Sequence, residues 1–250
     1  SSKLTRFNPV YEQFGHSFQL YANCFFLILF AICIAIGYYL NGKSFKGYGE
    51  LIRDTGHQSD FAAKYSMPVC LINIGLVGTC FLLYLDVIMV YTEGVGFTGA
   101  TIGVVLAAMT FTCMGQHPGN IWPILAGYQL LYFVTMFLCH INGREMSWTI
   151  TTQGYINGVA FATGLCPIAG RYGRRAGIAA GFMCASMCTA TSALHGGLVL
   201  YNGGFTTRIT ALILLPILEH YIPKTREFMN NKRLNKEDMI ALVETFKPND

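Results

Sequence analysis

The chain has 250 residues, of which 53% are apolar, 14% are aromatic and only 12% are charged, and its formal net charge is +4. Soluble proteins carry about 25% charged residues, so this chain has too few charges to cover a soluble domain of its size. The low charge and the aromatic content also exclude a disordered tail and a nucleic-acid-binding arm. The composition therefore predicts a polytopic membrane protein that is surrounded by a lipid bilayer and has no nucleic-acid partner.

Seven apolar stretches predict an all-α transmembrane helical bundle. A helix needs about 20 apolar residues to cross roughly 30 Å of hydrocarbon. In chain order the stretches are 19–40, 66–91, 98–114, 121–139, 147–170, 177–195 and 205–222. Broken helices are tolerated at membrane depth where they line protein or water. Because the third stretch is short, a re-entrant half-helix stays open as the alternative to a full crossing.

The basic residues predict the orientation of this bundle. Cytoplasmic loops of membrane proteins are enriched in Lys and Arg. With seven crossings and a cytoplasmic carboxyl-terminal tail, thirteen Lys and Arg fall in cytoplasmic regions and three in outer regions. The cytoplasmic ones lie in 41–65, in 171–175 and in the tail. We therefore predict an outside amino terminus, and removing one crossing would worsen the charge bias.

Two terminal segments flank the predicted bundle. Residues 1–18 form a polar amino-terminal segment, 19–222 the transmembrane domain and 223–250 a basic cytoplasmic tail. In the tail, Asn235 can cap a helix whose apolar residues between 239 and 246 share one face. We predict a short amphipathic helix there, lying either on the inner membrane surface or against the protein's own loops.

Small residues recur at helical spacing in the sixth stretch. Gly173, Gly177 and Gly181 are four residues apart, and Cys184 and Cys188 continue the same stripe. Such a stripe lets two helix backbones approach closely. It predicts helix packing, with a narrow backbone-lined path as the functional alternative.

Two charged residues fall inside predicted spans. A charge at the bilayer centre costs about 2.5–3.5 kcal/mol on insertion scales, so such groups normally face an interior or a cavity. In the seven-crossing arrangement Asp86 and Arg208 lie at similar depth in the outer half of the membrane. We expect a structural ion pair between them, or a gate; Asp86 reaching the outer interface is the alternative.

A polar break separates the third stretch from the fourth. Residues 115–120 read Gly-Gln-His-Pro-Gly-Asn, and Pro118 removes a backbone hydrogen bond there. Gln116, His117 and Asn120 can supply partners for the freed groups, or a permeating solute can; an ordinary cytoplasmic turn is the alternative. Asn73 lies inside an apolar span and must also find a hydrogen-bond partner.

A second unusual segment, 194–205, is apolar and bracketed by glycines, as a re-entrant segment would be. Unwound, polar segments near the bilayer midplane are typical of transporter binding sites. We therefore predict a substrate path through the middle of the bundle, with a satisfied packing role as the alternative for the histidine of this segment. The predicted path residues are Asn73, His117, Asn120, Asn157, His195, Tyr201 and Asn202.

The sequence lacks the motifs of several common enzymatic and metal-binding sites. The nine cysteines include no CxxC pair, so neither a disulfide framework nor a zinc knuckle is expected. No GxGxxG follows a strand, and GxxxxGK[ST], HExxH and GxSxG are absent. We therefore expect no cofactor, no metal and no enzymatic activity, although an intramembrane Cys/His or Asp/His enzyme stays open.

Four phrases between residues 71 and 219 resemble an uncharacterised family of bacterial polytopic membrane proteins. The resemblance implies a multi-pass protein of the bacterial inner membrane and brings no activity with it. In addition, Asn73-x-x-Leu76-x-Gly78 is similar to the repeats of urea transporters, but lacks their proline. The phrases are Asn73-x-Gly75-Leu76-Val77-Gly78, His117-Pro118-x-Asn120-Ile121-x-Pro123-Ile124, Pro167-Ile168-Ala169-Gly170 and His195-Gly196-Gly197-Leu198-x-Leu200-Tyr201-Asn202-x-Gly204-Phe205.

The polar breaks in an otherwise apolar chain favour a channel or secondary transporter for a small polar solute or ion. The alternative is a non-catalytic scaffold or subunit of a larger membrane complex, in which the glycine stripes pack against partner helices. A homo-oligomer is compatible with both.

Overall fold

A computed structural model describes residues 9–57, 59–90, 99–146, 148, 153–191 and 203–221. The all-α prediction is confirmed for these residues, which contain helices and connecting loops and no β-strand. The 3₁₀ turn Thr110–Met114 continues α5, and the 3₁₀ turn Thr163–Leu165 joins α7 to α8. The helices are α1 Pro9–Leu40, α2 Tyr48–Leu51, α3 Phe61–Tyr65, α4 Met67–Val90, α5 Gly99–Met109, α6 Pro118–Ile141, α7 Gln153–Ala162, α8 Cys166–Tyr172, α9 Arg174–Thr191 and α10 Gly203–Tyr221.

Three of the described helical segments are long and apolar enough to cross a membrane. They are Gln19–Leu40, Met67–Ile88 and Pro118–Ile141, and Thr101–Met114 is a shorter apolar helix. Helix α1 begins at Pro9, so its backbone runs on from the predicted polar segment without a break. The predicted fifth span is divided by a 3₁₀ turn. The predicted tail helix lies outside the described residues.

Two close helix pairs, α1 with α4 and α6 with α9, form the main contacts of the bundle. Glycines make both approaches possible. A Cβ atom on Gly75 of α4 would lie 2.6 Å from the carbonyl oxygen of Phe30 in α1, and a Cβ atom on Gly181 of α9 would collide with the carbonyl oxygen of Ile124 in α6. The packing role predicted for the glycine stripe is therefore confirmed for Gly177 and Gly181, which lie against neighbouring segments, but not for Gly173, whose Cβ position has nothing within 4 Å.

Three connecting regions meet at one end of the bundle. The loop between α2 and α3 touches the break before α6, because the backbones of Gly56 and Gly115 are in contact. The same loop touches α8 through Thr55 and Gly170. These regions are far apart in the sequence, and their convergence builds the site described below.

We expect Gly181→Ala to weaken the α6–α9 contact. The added methyl group has no room against the Ile124 carbonyl, so the helices must separate and lose packing, which costs about 1–3 kcal/mol. Thermal unfolding of the purified protein in detergent measures the loss. Gly103→Ala is the matched control, because nothing lies within 4 Å of the added methyl group. Equal midpoints for the two variants would contradict the packing role.

Candidate functional site

The break before α6 is a defined stop and start of two helical segments. The 3₁₀ turn ends at Gly115, whose φ of 101° is left-handed and suits glycine. His117 is extended, as expected before a proline, and Pro118 takes the first position of α6. The backbone N–H of His117 donates to Asn120 Oδ1 at 2.9 Å, and the Gly119 N–H donates to His117 Nδ1 at 3.1 Å. The two side chains thus cap the new helix.

Two asparagine amides bind the carbonyl groups that the break sets free. Asn73, fully buried on α4, donates through Nδ2 to the carbonyl oxygens of Thr112 at 3.1 Å and Gln116 at 2.8 Å. Asn120 Nδ2 donates to the Gly115 carbonyl at 2.8 Å. A buried carbonyl without a partner costs about 1–3 kcal/mol, so these bonds make the break tolerable in an apolar bundle. We call residues 110–120 together with Asn73 the junction.

The loop 52–57 covers the junction. His117 Nε2 lies 2.9 Å from the backbone oxygen of Asp54. A carbonyl only accepts and Nδ1 already accepts from Gly119, so the geometry fits a neutral His117 with its proton on Nε2. The contact between Gly56 and Gly115 brings the two backbones together at the same place. The loop is thereby attached to both the cap and the turn of the junction.

The carboxylate of Asp54 holds this loop in shape. It accepts hydrogen bonds from the Gly56 N–H at 2.8 Å and from the Tyr65 hydroxyl at 2.6 Å, and it forms an ion pair with Lys64. Ser59 Oγ donates to it at 3.3 Å. The Asp54 side chain is only 5% exposed, so the donors face a largely desolvated charge.

These contacts shift the acid–base equilibria of the loop. Burial by itself would raise the pKa of Asp54, but the hydrogen bonds from Lys64, Tyr65 and Gly56 outweigh it and lower the pKa to about 2. The hydrogen bond to Asp54 raises the pKa of Lys64. Burial, followed by the hydrogen bond to Asp54, raises the pKa of Tyr65 to about 12. The loop is therefore anchored by an ionised carboxylate throughout the neutral range.

Two polar side chains at the junction keep atoms without a hydrogen-bond partner within the described part of the chain. Gln116 is 1% exposed, and both its amide oxygen and its amide nitrogen are unpartnered. Asn73 Oδ1 also lacks a hydrogen-bond partner among the described residues, although Asn73 Nδ2 is hydrogen-bonded. Buried polar groups are normally bonded to protein or to ordered water. The junction therefore has hydrogen-bonding capacity that its own described atoms do not use.

The predicted path residues divide into three groups. Asn73, His117 and Asn120 come together at the junction. Asn157 lies elsewhere, on α7, where its backbone oxygen faces Gly203 at the start of α10. His195, Tyr201 and Asn202 lie outside the described residues.

The expected ion pair between Asp86 and Arg208 is not formed. The ion pair that the described residues contain is the one between Lys64 and Asp54. Asp86 instead accepts a hydrogen bond from Asn23 Nδ2 of α1 at 2.8 Å, while Arg208 is exposed. The prediction of a direct pair was wrong because depth along the spans does not determine which helices are neighbours: α4 packs on α1.

Sequence reasoning missed the contribution of Asp54 and Gly56. The Asp-x-Gly pattern of residues 54–56 indicates a turn, since an aspartate side chain often accepts a hydrogen bond from the backbone N–H of the residue two positions later. It also missed a buried cluster between α6, α9 and α10, where Tyr128 lies against Cys184 and Cys188. Among the described residues no three His, Cys, Asp or Glu side chains converge on a metal position.

The fold and the junction define a class of α-helical proteins with apolar helices of membrane-spanning length and a buried polar break between two helical segments. The chain belongs to the family described as "protein of unknown function (DUF1576)", whose model matches residues 40–220. The matched region contains the junction, the loop 52–57 and the cysteine cluster. No curated protein and no solved structure matches the chain.

We expect Asn73→Leu to destabilise the fold. The change leaves two buried carbonyl groups without donors, and each costs about 1–3 kcal/mol. Thermal unfolding in detergent measures the loss. Asn142→Ala is the matched control, because Asn142 also donates to a backbone carbonyl but at an exposed position. A loss no greater than that of the control would show that the junction does not need Asn73.

A second prediction concerns pH. The pKa of Asp54 is lower in the folded state than in the unfolded state, so its stabilisation is present above the ordinary carboxyl pKa of about 3.9 and is lost as the pH falls towards 2. We expect Asp54→Asn to lower the unfolding midpoint at pH 7, with the difference from the wild type shrinking between pH 4 and pH 2.

Glu50→Gln is the control for this experiment, since Glu50 is an exposed acidic residue that forms no ion pair within the described residues. A difference between wild type and Asp54→Asn that is constant across this pH range would contradict the role of the charge.

Proposed function

We propose that the protein is a multi-pass membrane channel or secondary transporter for a small polar solute or ion, and that the junction is part of its path. The support is a break between two helical segments whose polar residues Gln116, His117 and Asn120 are buried. Irregular backbone at membrane depth is found where it is buried in protein or lines a water-filled cavity, and transporters place their binding sites at such breaks.

The proposed topology has seven crossings, an outside amino terminus and the junction near the cytoplasmic face. Its support is the meeting of regions 41–65, 115–120 and 166–175 at one end of the bundle, because the topology puts all three on the same side. Two of these regions are rich in Lys and Arg, which favours the cytoplasmic side. The proposed membrane is the bacterial inner membrane.

The single observation that carries the proposal is that two buried residues joined by a hydrogen bond, Gln116 and Asn73, both keep unpartnered side-chain atoms among the described residues. Together they offer acceptors and a donor that the described protein atoms do not bind. Leaving such groups dry costs free energy, so water or a passing solute is the natural partner. His117 and Asn120 then hold the frame of the site rather than the solute, because their polar atoms bind the backbone.

The loop 52–57 acts as the closing element in this proposal. It covers the junction through Asp54 and Gly56, so a solute leaving towards this end of the bundle must displace it. The outer half of the path is assigned to Asn157, His195, Tyr201 and Asn202, as the sequence predicts. The role is not enzymatic.

A scaffold or subunit of a larger membrane complex is the second candidate. The observation in its favour is that most polar atoms at the junction are satisfied by the protein itself, as in a rigid packing element. Large apolar side chains such as Tyr21, Ile28 and Phe137 are exposed and suit either lipid or a partner helix.

Flux into proteoliposomes tests the proposal. The purified chain is reconstituted, and the entry of glycerol, formamide and potassium chloride is followed by stopped-flow light scattering after an osmotic shift. We expect entry of at least one probe to exceed that in protein-free vesicles. We expect Gln116→Leu to reduce this entry about tenfold, because it removes the unpaired donor and acceptor.

Thr79→Val is the matched control, since Thr79 lies on α4 outside the junction and its hydroxyl donates to the Gly75 carbonyl of its own helix. It should leave the entry rate unchanged. Vesicles that admit none of the probes would favour the scaffold. An unchanged rate in Gln116→Leu would remove the junction from the path.

A further inference from the structure

Two buried thiols share one face of α9. Cys184 and Cys188 are one helical turn apart and are 0% and 2% exposed. Both sulfur atoms lie within 3.7 Å of the same Thr206 hydroxyl oxygen, so the two thiols are close neighbours. The pair lies in the bundle interior, away from the junction, and is not used by the function proposed above.

Hydroxyl groups from two other helices surround the thiols. The Tyr128 hydroxyl of α6 lies 3.3 Å from Cys184 Sγ and 3.6 Å from Cys188 Sγ. Thr206 Oγ1 of α10 lies 3.0 Å from Cys188 Sγ and 3.7 Å from Cys184 Sγ. Both sulfur atoms thus lie between a phenol, which donates to them, and an alcohol, which donates its own proton to the Gly203 carbonyl and accepts from the Cys184 thiol.

A third sulfur faces the same helix. Thr210 lies one turn beyond Thr206 on α10, and its hydroxyl contacts Met187 Sδ at 3.7 Å. Met187 is three residues from Cys184 and one from Cys188, so the three residues lie on the side of α9 that packs against α10. The interface therefore gathers two thiols and one thioether.

We propose that Cys184, Cys188 and Met187 bind one soft monovalent metal ion, Cu(I) or Ag(I). Thiol and thioether sulfurs are the ligands that such ions prefer, whereas zinc normally takes four ligands and magnesium or calcium take oxygen.

Charge balance also favours a monovalent ion. When the ion binds, one cysteine thiol loses its proton to solvent and a metal–sulfur bond replaces the sulfur–hydrogen bond. One positive charge leaves as one enters, so the net charge of the buried site stays at zero and no uncompensated charge is left in the apolar interior. The Tyr128 hydroxyl then donates to the bound sulfurs and holds them in place, while the Thr206 hydroxyl donates to the Gly203 carbonyl.

The test is a competition titration of the purified full chain in detergent under anaerobic conditions. Cu(I) is supplied as its complex with a chromophoric chelator, and transfer to the protein is read from the loss of the chelator colour. Because the chain has nine cysteines, the quantity compared is the single equivalent of Cu(I) that the wild type binds and that the variants do not bind. We expect Cys184→Ala/Cys188→Ala to lose that equivalent.

Cys166→Ala is the matched control, since Cys166 is equally buried but lies on α8 outside the cluster. It should retain the equivalent. Met187→Leu preserves the size of the side chain, so it tests the site even where a cysteine variant does not fold. We expect it to weaken the affinity for Cu(I) about tenfold. Equal stoichiometry and affinity in the wild type and the double variant, or an unchanged affinity in Met187→Leu, would overturn the proposal.

Discussion

A buried break between two helical segments must have its freed backbone groups bonded, and this constraint organises the structure. At the break before α6 the carbonyls of Thr112, Gly115 and Gln116 have lost their helical partners. The amides of Asn73 and Asn120 replace them. In water such groups would be solvated at little cost, whereas in a buried interior each needs a side-chain donor. The polar side chains of the junction therefore serve first to bond these backbone groups.

The rest of the site is built onto the bonded break. The backbone of the loop 52–57 lies against the junction because two glycines meet there and neither has a side chain to keep the chains apart. Asp54 stabilises the loop from within, since four donors converge on a carboxylate that is almost completely shielded from solvent. Its lowered pKa and the raised pKa of Lys64 have the same cause, the bond between them. The closed junction thus depends on a polar loop outside the apolar helices.

Membership of a family of unknown function leaves activity to be argued from sites, because a fold by itself does not define chemistry. The described chain offers two sites of different character. The junction combines amides and carbonyls, which suit neutral polar groups and weakly held ions. The cluster between α9 and α10 combines thiols, a thioether and hydroxyls, which suit a soft metal. The two lie in different parts of the bundle and do not depend on one another.

The sequence by itself determined the helical class, three of the seven predicted apolar spans, the break at 115–120 and the need of Asn73 for a partner. Composition, apolar run length and proline chemistry act locally along the chain, so they can be read without a structure. Only the tertiary structure decided which residues bind one another. Asp54 reaches His117, 63 positions away, and Asp86 binds Asn23 rather than Arg208. Such pairs depend on which helices are neighbours and on how each is rotated about its axis. Packing fixes both, because a small change in side-chain size at a contact such as Gly75 or Gly181 moves an entire helix face.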